Sequence, residues 1–254
     1  MTWRYRHQVT MTRWALIIGA VFLLEAAPRL GWIDALTLVP VSTMLRRLVQ
    51  LLLAGKLNAH IISTGGNIIA SFVLAVALGI PFGLVLWRFP RFKRVVDPYL
   101  TTYYAIPIFA LYPLLISLLG MGYLPVIAIA WAWSVVAVMV NTAVGFQQVP
   151  KVYTKVARSL RLSRWYAFSR VLFPAAAPQI FTGLKLAVTY SVIGVIASEF
   201  ILAPKGLGWL VAYNYNNFGL ADMYSAILLI LLLGVLINGL VDKVESRIWR
   251  RRAG

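Results

Sequence analysis

Residues able to carry out chemistry are scarce in this sequence. Cysteine is absent, and the only histidines are His7 and His60, far apart in the chain. Disulfides and thiolate nucleophiles are therefore excluded, and we expect no metal site. The sequence contains no GxxxxGK[ST] stretch, no HExxH pair, no nucleophile elbow and no paired catalytic carboxylates. We predict a non-catalytic chain that binds no cofactor of its own, so any ATP energy must come from a partner.

The composition indicates a membrane protein. The chain is 61% hydrophobic and 12% charged, whereas an ordinary soluble domain is about half apolar and about a quarter charged. When the apolar runs are taken as six spans, 18 of the 24 Lys and Arg residues fall on one side and five on the other, with Lys185 inside a span. This alternation follows the positive-inside rule, while a nucleic-acid surface would be a contiguous patch. We predict an integral, multi-pass membrane protein with both termini in the cytoplasm.

The most basic stretch, Pro150 to Pro178, carries six cations and no acid between two apolar runs. This distribution predicts a cytoplasmic loop. Val152, Val156 and Leu160 recur at i, i+4 and i+8, which places one narrow apolar stripe on an otherwise basic helix. Ser163 is expected to cap a second short helix that ends at Pro174. Two short helices in a cytoplasmic loop are typical of a docking element.

The pattern VPxxxxxxARSLxxSRWxxFxxVxxPAAxPxIxTGLK, from Val149 to Lys185, resembles the EAA loop of ABC importer permeases. The likeness is greatest to the branch for nitrate, sulfonate, taurine and bicarbonate. In that family the first short helix, the coupling helix, sits in a groove of a separate ATPase subunit. The resemblance implies these ATPase-coupling residues: Val152, Lys155, Val156, Ala157, Ser159, Leu160 and Arg161.

Two departures from the family pattern fall inside this loop. The family's Glu-Ala-Ala reads Lys155-Val156-Ala157, and its glycine after the Ser-Leu pair is Arg161. Both changes suggest an ATPase groove that is more acidic than usual. The bland alternative is that these cations merely obey the positive-inside rule.

Residues 1–59 are expected to hold a cytoplasmic tail, a first span and an external amphipathic helix. The run from Trp14 to Ala27 has the length of a signal peptide, but Glu25 makes a poor cleavage region, so we favour an uncleaved span. In the helix that follows, Ser42 is a candidate cap and Gly55 a candidate stop.

The second span, about Ile61 to Trp87, carries small residues at every fourth position, which predicts a close helix-packing face. These are Ser71, Ala75, Gly79 and Gly83. Asn67 is the polar exception in this span, because a buried amide in lipid is costly unless it faces protein or water. Its two interpretations, an interhelical hydrogen bond and the transport path, stay open.

After the basic turn at 88–94, the chain re-enters the bilayer in a segment with Pro107 and Pro113 at family positions. Tyr103 and Tyr104 lie about one turn before Pro107. They form either an interfacial aromatic belt or a lining for substrate. A fourth span is expected from Leu124 to about Val144.

The fifth span is expected from about Gln179 to Leu202, with a second packing face at Gly183, Ala187 and Ser191. Lys185 can snorkel to the inner interface. Glu199, some twenty residues along, falls at the outer rim of the membrane core, where a structural or gate role is favoured over direct binding of a substrate. Residues 203–222 form a polar outside segment, either a solvated loop or a contact for a binding protein, and Met223 to Val241 form the last span.

The resemblance implies an all-α type I importer permease of the bacterial inner membrane, with a five-helix core and one peripheral span. The predicted regions are 1–59, a transmembrane domain at 60–241 with the coupling loop at 145–179, and a cytoplasmic tail at 242–254. The translocation path is expected to include Asn67, Tyr103, Tyr104, Pro107, Tyr112 and Ser191, with Glu199 at a gate.

The implied partners are two ATPase subunits, which hold ATP and Mg²⁺, a second permease copy in a homodimer or a close relative of this chain, an external solute-binding protein and membrane lipid; no nucleic acid is expected. The implied solute is a small anion or a small aromatic or heterocyclic nutrient. The alternative function is a stand-alone secondary transporter or channel, which would need intramembrane ionisable residues or repeated halves. A membrane-bound enzyme is the third possibility.

Overall fold

The protein is known from a computed structural model that describes residues 2–34, 37–103 and 105–253. Within these residues it is helical, with no strands. The α-helices are α1 (Thr2–Arg29), α2 (Val41–Leu53), α3 (Asn58–Arg88), α4 (Pro90–Tyr103), α5 (Tyr112–Leu119), α6 (Tyr123–Gln147), α7 (Lys151–Ser159), α8 (Arg164–Ala167), α9 (Phe173–Leu202), α10 (Leu207–Asn216) and α11 (Leu220–Ala253). A 3₁₀ turn (Ile108–Leu111) precedes α5, and a π-helical segment (Phe168–Leu172) joins α8 to α9.

Five stretches are long and apolar enough to cross a membrane, and the bent pair formed by α4 and residues Ile108–Leu119 makes six if it counts as one span. The prediction of an all-α membrane protein with six spans is thereby confirmed. Long apolar helices are the expected solution in lipid, because each helix satisfies its own backbone hydrogen bonds.

The chain divides into two compact units. The first comprises Met1–Ala59 and Leu210–Leu233. Inside it, the guanidinium of Arg47 donates hydrogen bonds to the carboxylate of Asp222 and forms an ion pair with it. These hydrogen bonds, reinforced by the charge of Asp222, raise the pKa of Arg47 above its usual range. The long-range pair joins α2 to the start of α11.

The second unit comprises His60–Trp209 and Gly234–Gly254. Its centre is the packing of α6 against α9, the most extensive helix pair among the described residues. Glycines allow the close approach: a Cβ added at Gly183 would meet Asn141 at 2.6 Å, and one added at Gly194 would meet Ala130 at 2.7 Å.

Small residues of α3 also pack against α6. A Cβ at Gly79 would meet Val138 at 2.6 Å, and one at Gly83 would meet the carbonyl oxygen of Met139 at the same distance. The residues predicted to form this face, Ser71, Ala75, Gly79 and Gly83, are all buried. The prediction of a packing face from four-residue spacing is confirmed.

Two predicted helix boundaries are wrong. α2 begins at Val41 with Pro40 at its N-cap, and Ser42 instead donates from its hydroxyl to Glu25 at 2.8 Å. Pro174 does not end a helix, since α9 begins at Phe173 and runs through it. Pro174 thus lies in the first turn of α9, inside a helical run that is continuous from Arg164 to Leu202, and the π-helical segment directly before it accommodates the missing N–H.

The structure contains helix in two places where the sequence analysis predicted none. Part of the predicted outside segment at 203–222 folds as α10. The last helix, α11, continues to Ala253, well past the predicted end of the span at Val241. Charged residues of the basic tail are therefore carried on the same continuous helix as the apolar span.

Candidate functional site

One face of α3 is turned toward the chain between Glu199 and Trp209. His60, Thr64 and Asn67 follow one another at i, i+4 and i+7, the spacing that places side chains on one side of a helix. All three make hydrogen bonds to that segment or to Glu199 itself. The beginning of α3 thereby holds the connection that leads from α9 to α10.

Glu199 is fully buried near the end of α9, and its carboxylate accepts hydrogen bonds from three groups. The hydroxyl of Thr64 donates at 2.7 Å, the amide of Asn67 at 3.1 Å and the backbone N–H of Gly208 at 3.2 Å. The hydroxyl of Thr64 in turn accepts from the backbone N–H of Leu207 at 2.8 Å. We call Thr64, Asn67, Glu199, Leu207 and Gly208 the Glu199 cluster.

Glycines let the backbone wrap around this carboxylate. Gly206 has a φ of +130°, and a Cβ added there would overlap the carboxylate of Glu199. A Cβ added at Gly208 would lie 2.8 Å from the Cβ of Glu199. The Gly-Leu-Gly sequence is therefore required by space as well as by backbone conformation.

A ring stack closes the cluster on one side. The imidazole of His60 lies parallel to the indole of Trp209, with ring centroids 5.3 Å apart and an interplanar angle of 7°. Its Nδ1 is 3.0 Å from the carbonyl oxygen of Gly206. The sequence analysis assigned His60 no contact with Glu199, although its i, i+4 relation to Thr64 was a signal that could have joined it to the acid.

Asn67 and Ser191, both predicted to line the path, have protein partners in the described chain. Asn67 belongs to the Glu199 cluster, so the interhelical hydrogen bond that was one of its two interpretations is present. Ser191 is fully buried, and its hydroxyl lies 2.9 Å from that of Ser134 across the α6–α9 contact. Both polar groups thus help to hold helices together.

Two aromatic residues of the predicted path, Tyr103 and Tyr112, lie beside α6. The hydroxyl of Tyr103 donates to the carbonyl oxygen of Ala132 at 2.8 Å, and Tyr112 is almost fully buried in the core. Pro107 is exposed and precedes the 3₁₀ turn. Tyr104 lies outside the described residues. The assignment of a translocation path to these residues stays a prediction.

The predicted coupling residues form a separate surface on α7. Val152, Val156 and Leu160, which we call the apolar stripe, are 58%, 51% and 65% exposed. Ala157, by contrast, is buried. Lys155, Ser159 and Arg161 are exposed beside the stripe. Apolar side chains of this size on a short basic helix indicate a surface that a partner covers.

The turn after α7 contains Arg161, one of the two departures from the family pattern. Arg161 has a φ of +49°, in the left-handed region that favours glycine. The backbone N–H of Leu162 donates to the carbonyl oxygen of Ala157 at 3.0 Å and closes the turn. Ser163 then caps α8 by accepting from the N–H of Tyr166 at 3.2 Å, as predicted. The backbone shape typical of glycine is thus kept although the residue is arginine.

Sequence reasoning missed the partners of Lys185. Its ammonium group lies 2.7 Å from Asp242 and 2.8 Å from Glu245, both on α11. The prediction of simple snorkelling is incomplete, because the lysine also joins α9 to the C-terminal part of α11.

No group of three or more His, Asp or Glu side chains suited to a metal ion occurs among residues 2–34, 37–103 and 105–253.

Comparison with known proteins identifies the family to which this chain belongs. Residues 75–250, more than half of the chain, match the model of the family described as "Binding-protein-dependent transport system inner membrane component". The nitrate import permease protein NrtB of Leptolyngbya laminosa is 30% identical over 182 residues, which cover 72% of this chain and 65% of that relative. The match thus spans slightly less than two thirds of that relative's length.

A second relative carries a different solute in its name. The formylaminopyrimidine transport permease protein ThiX of Halalkalibacterium halodurans is 27% identical over 195 residues, which cover 76% of this chain and 78% of that relative. Among solved structures, a chain of the MetNI methionine ABC transporter in an inward-facing conformation matches with a TM-score of 0.62 at 18% identity, over 76% of this chain and 95% of that one. This last likeness shows the fold.

The chain therefore belongs to the binding-protein-dependent transport system inner membrane components, the permease subunits of ABC importers. It is a multi-pass membrane protein and is similar to nitrate and bicarbonate permeases.

Proposed function

We propose that this chain is the membrane-spanning permease of an ATP-driven importer and catalyses no covalent reaction itself. Two copies, or this chain and a close relative, enclose the solute path. Two ATPase subunits bind ATP and Mg²⁺ on the cytoplasmic side, which is also the side of both termini, and a binding protein delivers the solute from outside. Family membership over residues 75–250 supports this arrangement.

The observation that carries the proposal is the apolar stripe on α7. A single helix with three exposed apolar side chains among lysines and arginines fits a groove that is apolar at its base and acidic at its rim. We infer that the ATPase holds α7 through Val152, Val156 and Leu160, with Lys155, Ser159 and Arg161 at the rim. Buried Ala157 anchors α7 to its own chain.

Motion of the ATPases then reaches the spans through the turn at Arg161 and the helix that follows. The chain from α8 through the π-helical segment into α9 is helical without a break. ATP-driven closure of the ATPases would move α7, and α9 would transmit that movement to α6, its main packing partner. Alternating access of this kind needs packed helices that shift as bodies.

Glu199 serves, in this proposal, as a structural anchor near the gate. Its buried carboxylate accepts three hydrogen bonds from groups of its own chain. A carboxylate repels a negatively charged solute, so we assign Glu199 no contact with the solute. The path itself is assigned to the segment with Tyr103, Tyr104, Pro107 and Tyr112. Asn67 and Ser191, whose side chains contact Glu199 and Ser134, brace the helices beside it.

The solute is a small anion such as nitrate, bicarbonate, taurine or another sulfonate, or a small heterocyclic nutrient. The names of the nitrate and formylaminopyrimidine relatives support these two classes.

The test is ATP hydrolysis and uptake by the complex of permease, ATPase and binding protein in vesicles, with each solute in turn. We expect one class to stimulate hydrolysis and ATP-dependent uptake, and an ATPase variant unable to hydrolyse ATP to abolish both. Uptake by the permease alone would contradict the proposal and favour a secondary transporter or channel.

A further inference from the structure

The start of α4 is exposed and strongly basic. α3 is a candidate span that ends at Arg88, and α4 begins two residues later with Pro90. The first turns of α4 therefore lie at a boundary of the membrane. No residue of α4 is buried. This surface belongs neither to α7 nor to the Glu199 cluster.

Cations and apolar side chains alternate along this stretch in a regular order. Each of three arginines is followed directly by an apolar residue, in the sequence RFPRFKRV. We call Arg88, Arg91 and Arg94 the arginine row. We call Phe89, Phe92, Val95 and Tyr99 the apolar row. Within α4, residues three or four apart share a side of the helix, so Arg91 and Arg94 run beside Phe92, Val95 and Tyr99. Arg88, the last residue of α3, and Phe89 lie directly before α4.

The two rows are available for contact. The apolar row is 50–73% exposed. Lys93 pairs with Asp97 at 2.7 Å on the same helix, whereas no acid within the described residues forms an ion pair with the arginine row. The guanidinium of Arg88 lies 5.8 Å from the ring centroid of Phe89, so cation and ring stand together. The arginine row thus presents three positive charges next to an exposed apolar surface.

We propose that the start of α4 binds anionic phospholipid headgroups, with the apolar row inserted among the acyl chains and the arginine row on the lipid phosphates. Charge complementarity selects this occupant, because guanidinium groups bind phosphate through two parallel N–H donors. Aromatic residues beside cations suit the boundary between headgroups and acyl chains. An acidic protein surface would match the charge of the arginine row. It would not cover the apolar row, which at the membrane boundary can contact lipid acyl chains.

The experiment uses the full-length permease in phosphatidylcholine vesicles that contain a photoactivatable phosphatidylglycerol. Labelled peptides are mapped by mass spectrometry. We expect labelling across residues 88–99, competed by unlabelled phosphatidylglycerol but not by added phosphatidylcholine, and weakened at high salt. Replacing the arginine row together, R88Q/R91Q/R94Q, should lower labelling by about fivefold for each charge removed.

Three control variants separate site binding from general charge. K93Q/D97N removes a neutral pair from the same helix and should leave labelling unchanged. R250Q/R251Q/R252Q removes the same net charge from the C-terminal tail and should leave labelling at 88–99 unchanged. R88K/R91K/R94K keeps the charge and should retain most of the labelling. Size-exclusion elution and circular dichroism establish that each variant is folded.

Four results would overturn the proposal. They are equal competition by phosphatidylcholine, unchanged labelling in the arginine-to-glutamine variant, equal loss in the tail variant, and protection of residues 88–99 by added ATPase. The last result would assign the surface to a protein partner instead.

Discussion

The Glu199 cluster and the apolar stripe on α7 differ in where their partners lie. The carboxylate of Glu199 accepts three hydrogen bonds from its own chain and is fully buried. The three side chains of the apolar stripe are each more than half exposed. The comparison teaches that the first site is completed by folding, whereas the second is left exposed and, in the proposed function, is covered by the ATPase. Substitutions should accordingly affect stability at the cluster and assembly at the stripe.

The largest effect is expected for Gly206→Ala. The new methyl group would overlap the carboxylate of Glu199 and force an alanine to a φ of +130°. Backbone strain and overpacking together should cost about 3–5 kcal/mol of folding stability. Thermal unfolding of the purified permease in detergent measures this loss.

The matched control is Gly66→Ala at an exposed position of α3, where an added Cβ meets no atom within 4 Å. It should leave the unfolding temperature unchanged or raise it, since alanine favours a helix by about 1 kcal/mol over glycine. Equal stability of the two variants would show that the cluster does not need the close approach of Gly206.

The next effect is expected for Val156→Asp, in the middle of the apolar stripe. The variant should fold and insert normally, because Val156 is 51% exposed in the permease alone. A carboxylate placed in an apolar groove costs about 2–4 kcal/mol, so binding of the ATPase should weaken roughly 100-fold. Pull-down and binding measurements with the purified ATPase test this.

Arg158→Gln is the charge-matched control for Val156→Asp. It lowers the net charge by the same amount, and residue 158 lies two positions away, on nearly the opposite side of the helix. ATPase binding should change little. If ATP-driven uptake by Val156→Asp were normal, the stripe would not be the docking surface.

The smallest effect is expected for Arg161→Gly, at the turn between α7 and α8. Glycine adopts a φ of +49° without the steric cost that arginine bears, so the turn should gain about 0.5–1 kcal/mol. Hydrogen exchange of residues 157–165 should slow. Arg164→Gly, within α8, should have the opposite effect because glycine destabilises a helix. Faster exchange in Arg161→Gly would contradict the strain argument.

Much of the fold could be predicted because its signals are local. The apolar spans, the four-residue spacing of Gly79 and Gly83 and the capping of α8 by Ser163 each depend on residues within a few turns of one another. Helix boundaries were less predictable. Pro174 was expected to stop a helix, yet Phe173 starts α9 and leaves the proline in its first turn. A proline's position within a helix decides its effect, and the sequence around it does not reveal that position.

The candidate sites divide in the same way. The apolar stripe could be predicted from Val152, Val156 and Leu160 alone, because its residues are all neighbours on one turn-by-turn helical spacing. The partners of Glu199 were not readable, since Thr64 is 135 residues away. Lys185 likewise pairs with acids about sixty residues further along, one of them Glu245.

By itself, the sequence determined the membrane-embedded helical class, the short basic helix with its apolar stripe, and the absence of cysteine chemistry and of a P-loop. Hydropathy, charge alternation and helical spacing depend only on residues that are close together in the sequence. They can therefore be recognised without knowing how distant parts of the chain pack. Only the tertiary structure decided that His60 stacks on Trp209, that the Gly-Leu-Gly segment wraps around Glu199 and that α11 supplies the acids for Lys185. Each of these contacts joins distant parts of the chain, and the choice among many possible polar partners is made when helix packing brings one set within hydrogen-bonding distance.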